Sequence, residues 1–176
     1  MKSSPINFLP TDMAENIHRH RITIFTDGSC NVRTGIGGYG VYLVAEHGEQ
    51  VYQRGYTNTT TARMEMRALL QALRMIAVDV DTAVTLYSDS QFVVNAFRQG
   101  WIGKWRSMDY LGTANADLWR CIVRELSMHH RMKFSIKWCR GHQKNLNDPV
   151  IFGNNVADAL ADYRKFKRYH VDTRED

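Results

Sequence analysis

The sequence predicts an α/β domain in which a mixed five-stranded sheet is flanked by helices. Three β segments occur before any helix and are joined by short turns, which is typical of an antiparallel meander. A helix, a strand, further helices, a strand and a helix follow, and this order adds two parallel strands. Because a hairpin meander does not fit a doubly wound parallel sheet, we expect a mixed sheet with helices on its faces.

The predicted meander occupies the first part of the folded chain. Residues 21–27 alternate in polarity, with Ile24 on one face of the strand and Phe25 on the other. Residues 37–57 contain two β runs that meet near Gly48, which predicts a hairpin. The three runs together account for the antiparallel part of the sheet.

The rest of the chain predicts helices between two further strands. A broad apolar stripe over residues 62–78 predicts the first helix, and the threonines at 59–61 are candidate N-caps. The later elements are predicted by the same periodicities: a strand over 82–89, a helix over 90–99 that Gly100 ends, a helix over 113–130, a strand over 133–139 and a final helix from about Asn154 to Phe166.

The length of the chain suits one domain with its own core. It has 176 residues and a mass of 20.4 kDa. Residues 1–20 have no clear period, and we expect them to form a disordered or loosely attached lead-in. We expect residues 21–170 to form the folded domain and residues 171–176 a short polar tail.

Composition and charge narrow the class of protein. The net charge of +5 and the pI near 9.2 favour polyanionic partners, nucleic acid first, although an ordinary basic protein is an alternative. Three cysteines without a CxxC pair argue against a zinc knuckle and indicate a reducing compartment. Residues 1–20 lack an apolar leader and no run reaches membrane length, so we expect a cytoplasmic protein without a membrane partner, monomeric by default.

Four carboxylates stand out from their positions. Asp27 and Asp89 each end a predicted strand after a hydroxyl residue. If these strands are parallel neighbours, both side chains lie at one end of the sheet, where open α/β sheets bind ligands. Glu65 and Asp158 lie at the core-facing edges of helices, and each taken alone has an ordinary explanation as an acidic group in the first turn of a helix.

The four carboxylates together predict a metal site. Like charges brought close raise each other's pKa unless a cation lies between them. Oxygen ligands without histidine or thiolate favour Mg²⁺ or Mn²⁺. Two such ions about 3.5–4 Å apart activate water and stabilise a leaving oxygen in phosphodiester hydrolysis.

Five motifs in order resemble the type I ribonuclease H family, and the match runs from about Arg21 to Lys165. They are TDGSC with GGYGVYL, then ARMEMRALLQAL, LYSDSQFVVNAF, WCRGH and GNNVADALA. The resemblance implies a ribonuclease H-like fold and an endoribonuclease that hydrolyses the RNA strand of RNA–DNA hybrids. It also implies 3′-hydroxyl and 5′-phosphate products and two Mg²⁺ ions, with Mn²⁺ as a substitute.

The resemblance assigns roles to the acidic residues and to one histidine. Asp27, Glu65, Asp89 and Asp158 match the family's metal ligands and catalytic carboxylates. His142, the last residue of WCRGH, matches the histidine that assists proton movement or product departure. Among seven histidines in the chain, most are expected to be surface residues without a role.

The resemblance also implies a substrate surface. In the family, the residues that Thr60 and Asn115 match bind a DNA phosphate, and the residue that Gln91 matches contacts the minor groove. A basic protrusion of the family grips the DNA strand. The segment GWIGKWRSMDY is shorter and less basic than the family's protrusion, and packing is an alternative for Trp101 and Cys30. The implied substrate-binding residues are Cys30, Thr60, Gln91, Trp101, Lys104, Trp105 and Asn115.

Three other functions were weighed against this one. A noncatalytic nucleic-acid-binding module of the same fold would be expected to lack a carboxylate, and all four are present. A DNA-directed nuclease of the superfamily is a second alternative, which the RMEM helix and the RGH loop disfavour. A small-molecule enzyme is a third, but the glycine-rich GIGGYG precedes a predicted strand rather than a helix.

Overall fold

A computed structural model describes residues 20–78 and 80–174. The described chain contains a six-stranded sheet with the strand order β5-β4-β1-β2-β3-β6. Apart from His20, which begins β1, the predicted lead-in lies outside the described residues. The strands are β1 (His20–Asn31), β2 (Ile36–Ala45), β3 (Gly48–Thr57), β4 (Thr82–Ser88), β5 (Met132–Trp138) and β6 (Tyr169–Val171).

Five α-helices are distributed along the described chain: α1 (Thr61–Arg74), α2 (Gln91–Arg98), α3 (Trp101–Ser107), α4 (Ala116–Met128) and α5 (Pro149–Ala161), followed by a short 3₁₀ turn (Tyr163–Lys165). The N-cap of α1 is Thr60, whose hydroxyl accepts a hydrogen bond from the amide of Arg63, as the threonine run predicted. Within residues 20–78 and 80–174, none of these helices has the length and apolarity needed to cross a bilayer.

The pairing of the strands confirms the predicted mixed sheet. β2 pairs antiparallel with both β1 and β3, whereas β4 pairs parallel with both β1 and β5. In the β1–β4 register, Thr26 lies beside Ser88. The residues that follow, Asp27 and Asp89, therefore reach the same end of the sheet.

The sheet has six strands rather than the five that the sequence predicts. β6 pairs parallel with Gly55–Thr57 of β3, in a segment that we expected to follow the last helix without joining the sheet. Val171 ends this strand, and Asp172, expected in a polar tail, is fully buried. Three residues are too few to carry a strand periodicity, so the pattern gave no signal here.

The last helix begins earlier than predicted. α5 starts at Pro149, and the Asp148 carboxylate accepts hydrogen bonds from the amides of Val150 and Ile151. Proline is favoured at the first helical position because its fixed φ suits the helix and its missing N–H is not needed there. α5 ends at Ala161 rather than at Phe166.

The alternation along β1 separates two apolar cores. Ile24 belongs to the larger core, which includes the inward faces of α1 and α4, whereas Phe25 packs with Tyr42 and Ala157 of α5 in the smaller one. Close contact on the α5 side depends on Gly40, where a Cβ would lie 2.4 Å from a backbone oxygen of α5. Both faces of the sheet are therefore covered, and its strand ends are left to form the site.

A buried ionic network ties the C-terminal segment to α1. Arg63 donates from Nε and Nη2 to the two carboxylate oxygens of Asp172, at 2.7 and 2.9 Å. Arg67 also bonds Asp172, and the hydroxyl of Thr59 donates to the same carboxylate at 2.6 Å. Burial raises the pKa of Asp172, but the bonds from Arg63 and Arg67 outweigh it and lower this pKa to about 2.

Replacing Asp172 with alanine is expected to destabilise the fold strongly. The change removes the fully buried carboxylate that Arg63 bonds and leaves Asp117 and Asn115 as its other side-chain acceptors. Breaking a buried ion pair in this way costs about 3–5 kcal/mol. The free energy of unfolding from urea denaturation measures the loss. Because the folded pKa of Asp172 lies below its ordinary value of 3.8, its stabilisation is present above that pH and is lost as the pH falls toward about 2.

Asp109→Asn is the matched control for this prediction. Asp109 is exposed, its backbone has a φ of 48° that asparagine tolerates, and its carboxylate lies 3.9 Å from Arg120. An exposed pair of this kind contributes less than about 1 kcal/mol. Equal unfolding free energies for the two variants would contradict the structural role of Asp172.

Candidate active site

Three of the four predicted carboxylates meet at one end of the sheet. Asp27, Glu65 and Asp89 each offer one oxygen, and these oxygens lie within 4.8 Å of one another. Asp27 lies in β1, Glu65 in α1, and Asp89 directly after β4. The parallel neighbours β1 and β4 supply two of them, as the strand-end argument predicted.

A glycine allows Glu65 to approach the sheet. A Cβ on Gly28 would lie 2.4 Å from the backbone nitrogen of Glu65 and 2.6 Å from the carbonyl carbon of Met64. Any larger residue would push α1 away from β1. The glycine of the TDGSC motif therefore sets the distance between the Asp27 and Glu65 carboxylates.

The environment of Asp27 opposes its negative charge. Burial, followed by the charges of Asp89 and Asp158, raises the pKa of Asp27 to about 7. The backbone amide of Gly28 acts in the opposite direction by donating to the carboxylate, but its effect is smaller. An added cation would relieve both the desolvation and the repulsion.

Glu65 is more buried than we expected for an acidic residue in the first turn of a helix. It is buried in the second turn of α1, and burial together with the charges of Asp27 and Asp89 raises its pKa well above the ordinary value. Its Oε2 is buried and has no hydrogen-bond partner among the described residues. A buried carboxylate oxygen without a donor requires a cation or a proton, so the ordinary explanation as a capping residue does not hold.

Asp89 and Asp158 share the exposed side of the cluster with His142. Burial raises the pKa of Asp89, and the nearby His142 acts in the opposite direction. Nδ1 of His142 lies 3.6 Å from the Asp158 carboxylate. The Asp158 side chain is 43% exposed, so it borders the cluster rather than joining its buried part.

The position of Asp158 in its helix differs from the expectation. Because α5 begins at Pro149, Asp158 lies in the last turn of the helix rather than the first. The helix dipole disfavours a negative charge in the last turn. A favourable interaction with the helix dipole therefore does not explain this aspartate. Its position beside Asp27 indicates a role in the cluster instead.

The loop that carries His142 is held at both sides. Gly141 contacts Asp89 so closely that a Cβ would lie 2.2 Å from Oδ2. Nδ2 of Asn155 donates to the carbonyl of Gln143 at 2.8 Å. His142 itself has a left-handed backbone, with φ of 54°, and its side chain is 80% exposed. The backbone is therefore braced while the imidazole faces solvent.

The cluster opens into a cleft of about 440 Å³. Its donors are carboxylate oxygens, which suit Mg²⁺ or Mn²⁺ rather than a soft metal. The unpartnered Oε2 of Glu65 and the raised pKa of Asp27 also fit a site for a divalent cation. The cleft is lined by Asp27, Gly28, Thr61, Ala62, Glu65, Asp89, Ser90, Phe92 and His142.

The two predicted phosphate-binding residues, Thr60 and Asn115, both accept hydrogen bonds from Arg63. Thr60 is exposed at the N-cap of α1, and its hydroxyl accepts from the amide of Arg63. Asn115 precedes α4 in a left-handed conformation, and its Oδ1 accepts from Nη1 of Arg63 at 3.3 Å. The two residues therefore flank the N-termini of α1 and α4.

The predicted aromatic–basic segment forms α3. Trp101 and Trp105 pack against each other at 5.9 Å, and Trp105 lies 5.1 Å from the buried Trp119. Both tryptophans are partly buried against the larger core, which agrees with the packing alternative for Trp101. Lys104 is exposed on the same helix. The indole rings are therefore engaged in packing, whereas Lys104 faces solvent.

Cys30 and Gln91, the remaining predicted substrate-binding residues, differ in exposure. The thiol of Cys30 donates to the carbonyl of Thr59 at 3.5 Å, and burial raises its pKa. Gln91 is exposed at the start of α2, next to the N-cap Ser90. The contact with Thr59 agrees with the packing alternative for Cys30. Gln91 is exposed, so its side chain can contact a ligand.

Arg63 and Asn155 have structural roles that the sequence patterns did not predict. Arg63 is fully buried and connects Asp172, Asp117 and Asn115. One signal was available, since an arginine beside the apolar stripe of α1 needs buried acceptors. Asn155 carried no comparable signal, because its partner is a backbone carbonyl in a loop.

The chain is similar in sequence to proteins of one known family. The sequence model of the family described as RNase H matches residues 19–165. A ribonuclease H from Chlorobium luteolum is 41% identical over 148 residues, covering 80% of this chain and 92% of the relative. A ribonuclease HI from Haemophilus ducreyi is 34% identical, covering 80% of this chain and 87% of the relative.

Solved structures share the fold. The crystal structure of LC9-RNase H1, titled a type 1 RNase H with the type 2 active-site motif, has a TM-score of 0.67 and 23% identity, over 83% of this chain and 72% of that one. The solution structure of the PFV RNase H domain has a TM-score of 0.64 and 22% identity, over 81% and 93%. At these identities the likeness establishes the fold alone.

The stability of the metal-free protein is expected to fall as the pH rises. Because the folded pKa of Asp27 is raised from 3.8 to about 7, its proton is bound more tightly in the folded state. The resulting stabilisation is complete below the unfolded pKa and is lost as the pH passes through about 7. Thermal melts in chelator measure this slope, and Asp27→Asn is expected to flatten it.

Added Mg²⁺ is expected to raise the melting temperature most at the upper end of that pH range, since a bound cation stabilises the folded state. The exposed Asp109→Asn variant serves as control and keeps the wild-type slope. A melting temperature that is independent of both pH and Mg²⁺ would show that the carboxylates do not interact as described.

Proposed function

The chain belongs to the ribonuclease H family, and we propose that it is an endoribonuclease that hydrolyses the RNA strand of RNA–DNA hybrids with two Mg²⁺ ions, leaving 3′-hydroxyl and 5′-phosphate ends. The single observation that carries the proposal is the convergence of Asp27, Glu65 and Asp89 within 4.8 Å at the floor of an open cleft. Relatives named ribonuclease H support the substrate and the reaction.

The four carboxylates are proposed as the metal ligands. Asp27, which lies close to Asp89 and Asp158, would be a ligand shared by both ions. Glu65 would hold one ion with its unpartnered oxygen and place the attacking water or the ribose hydroxyl, and Asp158 would complete the other. The bound ions supply an activated water and stabilise the leaving oxygen.

His142 is proposed to move protons or to help the product leave. Its exposed side chain and its position 3.6 Å from Asp158 suit exchange of protons between the cleft and solvent. The bonds of Asn155 and the contact of Gly141 keep the loop near Asp89. The same arrangement lets the imidazole turn without moving the backbone.

The DNA strand is proposed to bind on the side of Thr60 and Asn115. Helix N-termini present amide groups and a positive potential to phosphate, and both residues stand at such positions. Gln91, next to Ser90 in the lining of the cleft, would contact the minor groove, Cys30 would lie near the hybrid, and α3 would offer Lys104. A protein distinguishes RNA from DNA at such a surface by the 2′-hydroxyl.

Further properties belong to the same proposal. The domain would comprise residues 21–170 together with Val171, which ends β6, and the buried Asp172. Mn²⁺ would substitute for Mg²⁺, and the protein would act as a monomer in the cytoplasm. The all-oxygen ligand set supports the metal, and the three free thiols agree with a reducing compartment.

Asp27→Asn and Asp89→Asn are each expected to abolish hybrid cleavage while the protein stays folded. Each change removes a negative charge needed to hold a cation and relieves repulsion in the cluster, so stability is expected to be retained or increased. The assay uses hybrid with labelled RNA, duplex DNA and duplex RNA, in Mg²⁺ or in chelator. Asp109→Asn is the control and cleaves as the wild type does.

Loss of the RNA label from the hybrid alone, in Mg²⁺ alone, is the expected wild-type result. Cleavage of duplex DNA at a similar rate would favour a DNA-directed nuclease of the same fold. Full hybrid cleavage by either asparagine variant would refute the ligand assignment.

His142→Ala is expected to lower kcat about 10²-fold, the lower end of the range for a general acid or base. Binding of the hybrid is expected to change little, because the side chain is exposed and lies at the rim of the cleft. Steady-state kinetics separate the two effects. An increase in KM with an unchanged kcat would instead assign His142 to substrate binding.

A further inference from the structure

Two adjoining cavities lie between α1, α4 and the C-terminal segment, and neither is lined by Asp27, Glu65 or Asp89. One, of about 320 Å³, is lined by Arg67, Arg74 and Arg120 among others. The other, of about 300 Å³, is lined by Arg63, Arg120 and Arg174 together with Asn115. Arg120 and Asp117 line both cavities, so the two form one continuous surface, which we call the arginine groove.

The charge of the arginine groove is positive. Five arginines line it against one carboxylate, that of Asp117. Arg63 already bonds both oxygens of Asp117, at 3.0 and 2.8 Å, and lowers its pKa against the effect of burial. When Asp172 and Glu125, which lie behind the lining arginines, are also counted, the arginines still outnumber the carboxylates by two.

Two arginines of the groove are accessible and partly ordered. The side chains of Arg74 and Arg120 are 47% and 45% exposed. Nη2 of Arg120 donates to the carbonyl of Asp109 at 3.0 Å, and its guanidinium lies 5.4 Å from the Tyr110 ring centroid. Nε of Arg74 lies 3.4 Å from Glu125. An anion would therefore meet guanidinium groups whose positions are already restricted.

The groove continues from the proposed phosphate site. Asn115 lines the same cavity as Arg120 and Arg174. Arg63 holds the amide oxygen of Asn115 at 3.3 Å, which leaves the amide nitrogen as the donor for a ligand. A phosphate at Asn115 would therefore have the arginine groove as its continuation along the protein surface.

We propose that the arginine groove binds the sugar–phosphate backbone of the DNA strand where it extends past the phosphate held at Asn115. The assignment of the strand rests on the proposed function. Guanidinium groups bind phosphate oxygens in a planar, two-pronged geometry, and such contacts add affinity independent of sequence. The groove would thus lengthen the nucleic-acid footprint of a domain whose α3 segment is short, with Lys104 and Arg106 as its basic residues.

The test compares binding of hybrids with and without a single-stranded DNA extension at either end. An Asp89→Asn background in Mg²⁺ prevents cleavage during the measurement. Extension at one end is expected to tighten binding about tenfold, and Arg74→Gln with Arg120→Gln is expected to remove that gain. The slope of log affinity against log salt should also fall by about 0.7 for each lost contact with single-stranded phosphate.

The matched control is Arg21→Gln with Lys133→Gln, which removes the same charge from exposed residues outside the groove. It is expected to keep the gain from the extension. Because Arg74 contacts the buried Glu125, a second pair, Arg74→Lys with Arg120→Lys, keeps the charge and should retain most of the gain. Thermal melts of all variants verify folding.

Three outcomes would overturn the proposal: no gain from either extension in the parent, equal losses in the groove and control variants, or binding of tripolyphosphate that the groove variants weaken while the extensions add nothing. Cleavage of an unextended hybrid by the wild-type protein is measured separately. Cleavage without a gain refutes only the groove, whereas a gain without cleavage refutes the proposed nuclease activity and leaves the groove as a nucleic-acid contact.

Discussion

Carboxylate oxygens from three separate parts of the chain lie within 4.8 Å of one another, and this concentration of negative charge in a partly buried cleft is unfavourable without a cation. The raised pKa values of Asp27, Glu65 and Asp89 express that cost. The rest of the fold supplies the free energy that keeps the groups together. Contacts outside the site therefore hold the carboxylates in position to bind a cation.

Those contacts are of two kinds. Parallel pairing of β1 with β4 fixes the two aspartates at one sheet end, and the larger core presses α1 onto the sheet. Glycines at 28 and 141 then remove the Cβ atoms that would separate Glu65 from β1 and the histidine loop from Asp89. Packing of apolar side chains thus sets the distance between charged ones.

The sequence predicted the parts of this arrangement that have a period or a strand end. The meander, the parallel pair and the approach of Asp27 to Asp89 followed from alternation and chain order. Single-residue reasoning failed for Glu65 because burial is set by the tertiary approach of α1. β6 and the Arg63–Asp172 pair were missed because three residues carry no period and because ionic partners 109 residues apart leave no local pattern.

That separation along the chain bears on how the protein reaches its final structure during synthesis. Arg63 leaves the ribosome long before Asp172, so until then its guanidinium has Asp117 but lacks its fully buried partner. Contacts between distant segments form slowly because closing the intervening loop reduces chain entropy. We therefore expect the nascent chain to stay open at the N-terminus of α1, beside the future metal site, until its last strand has emerged.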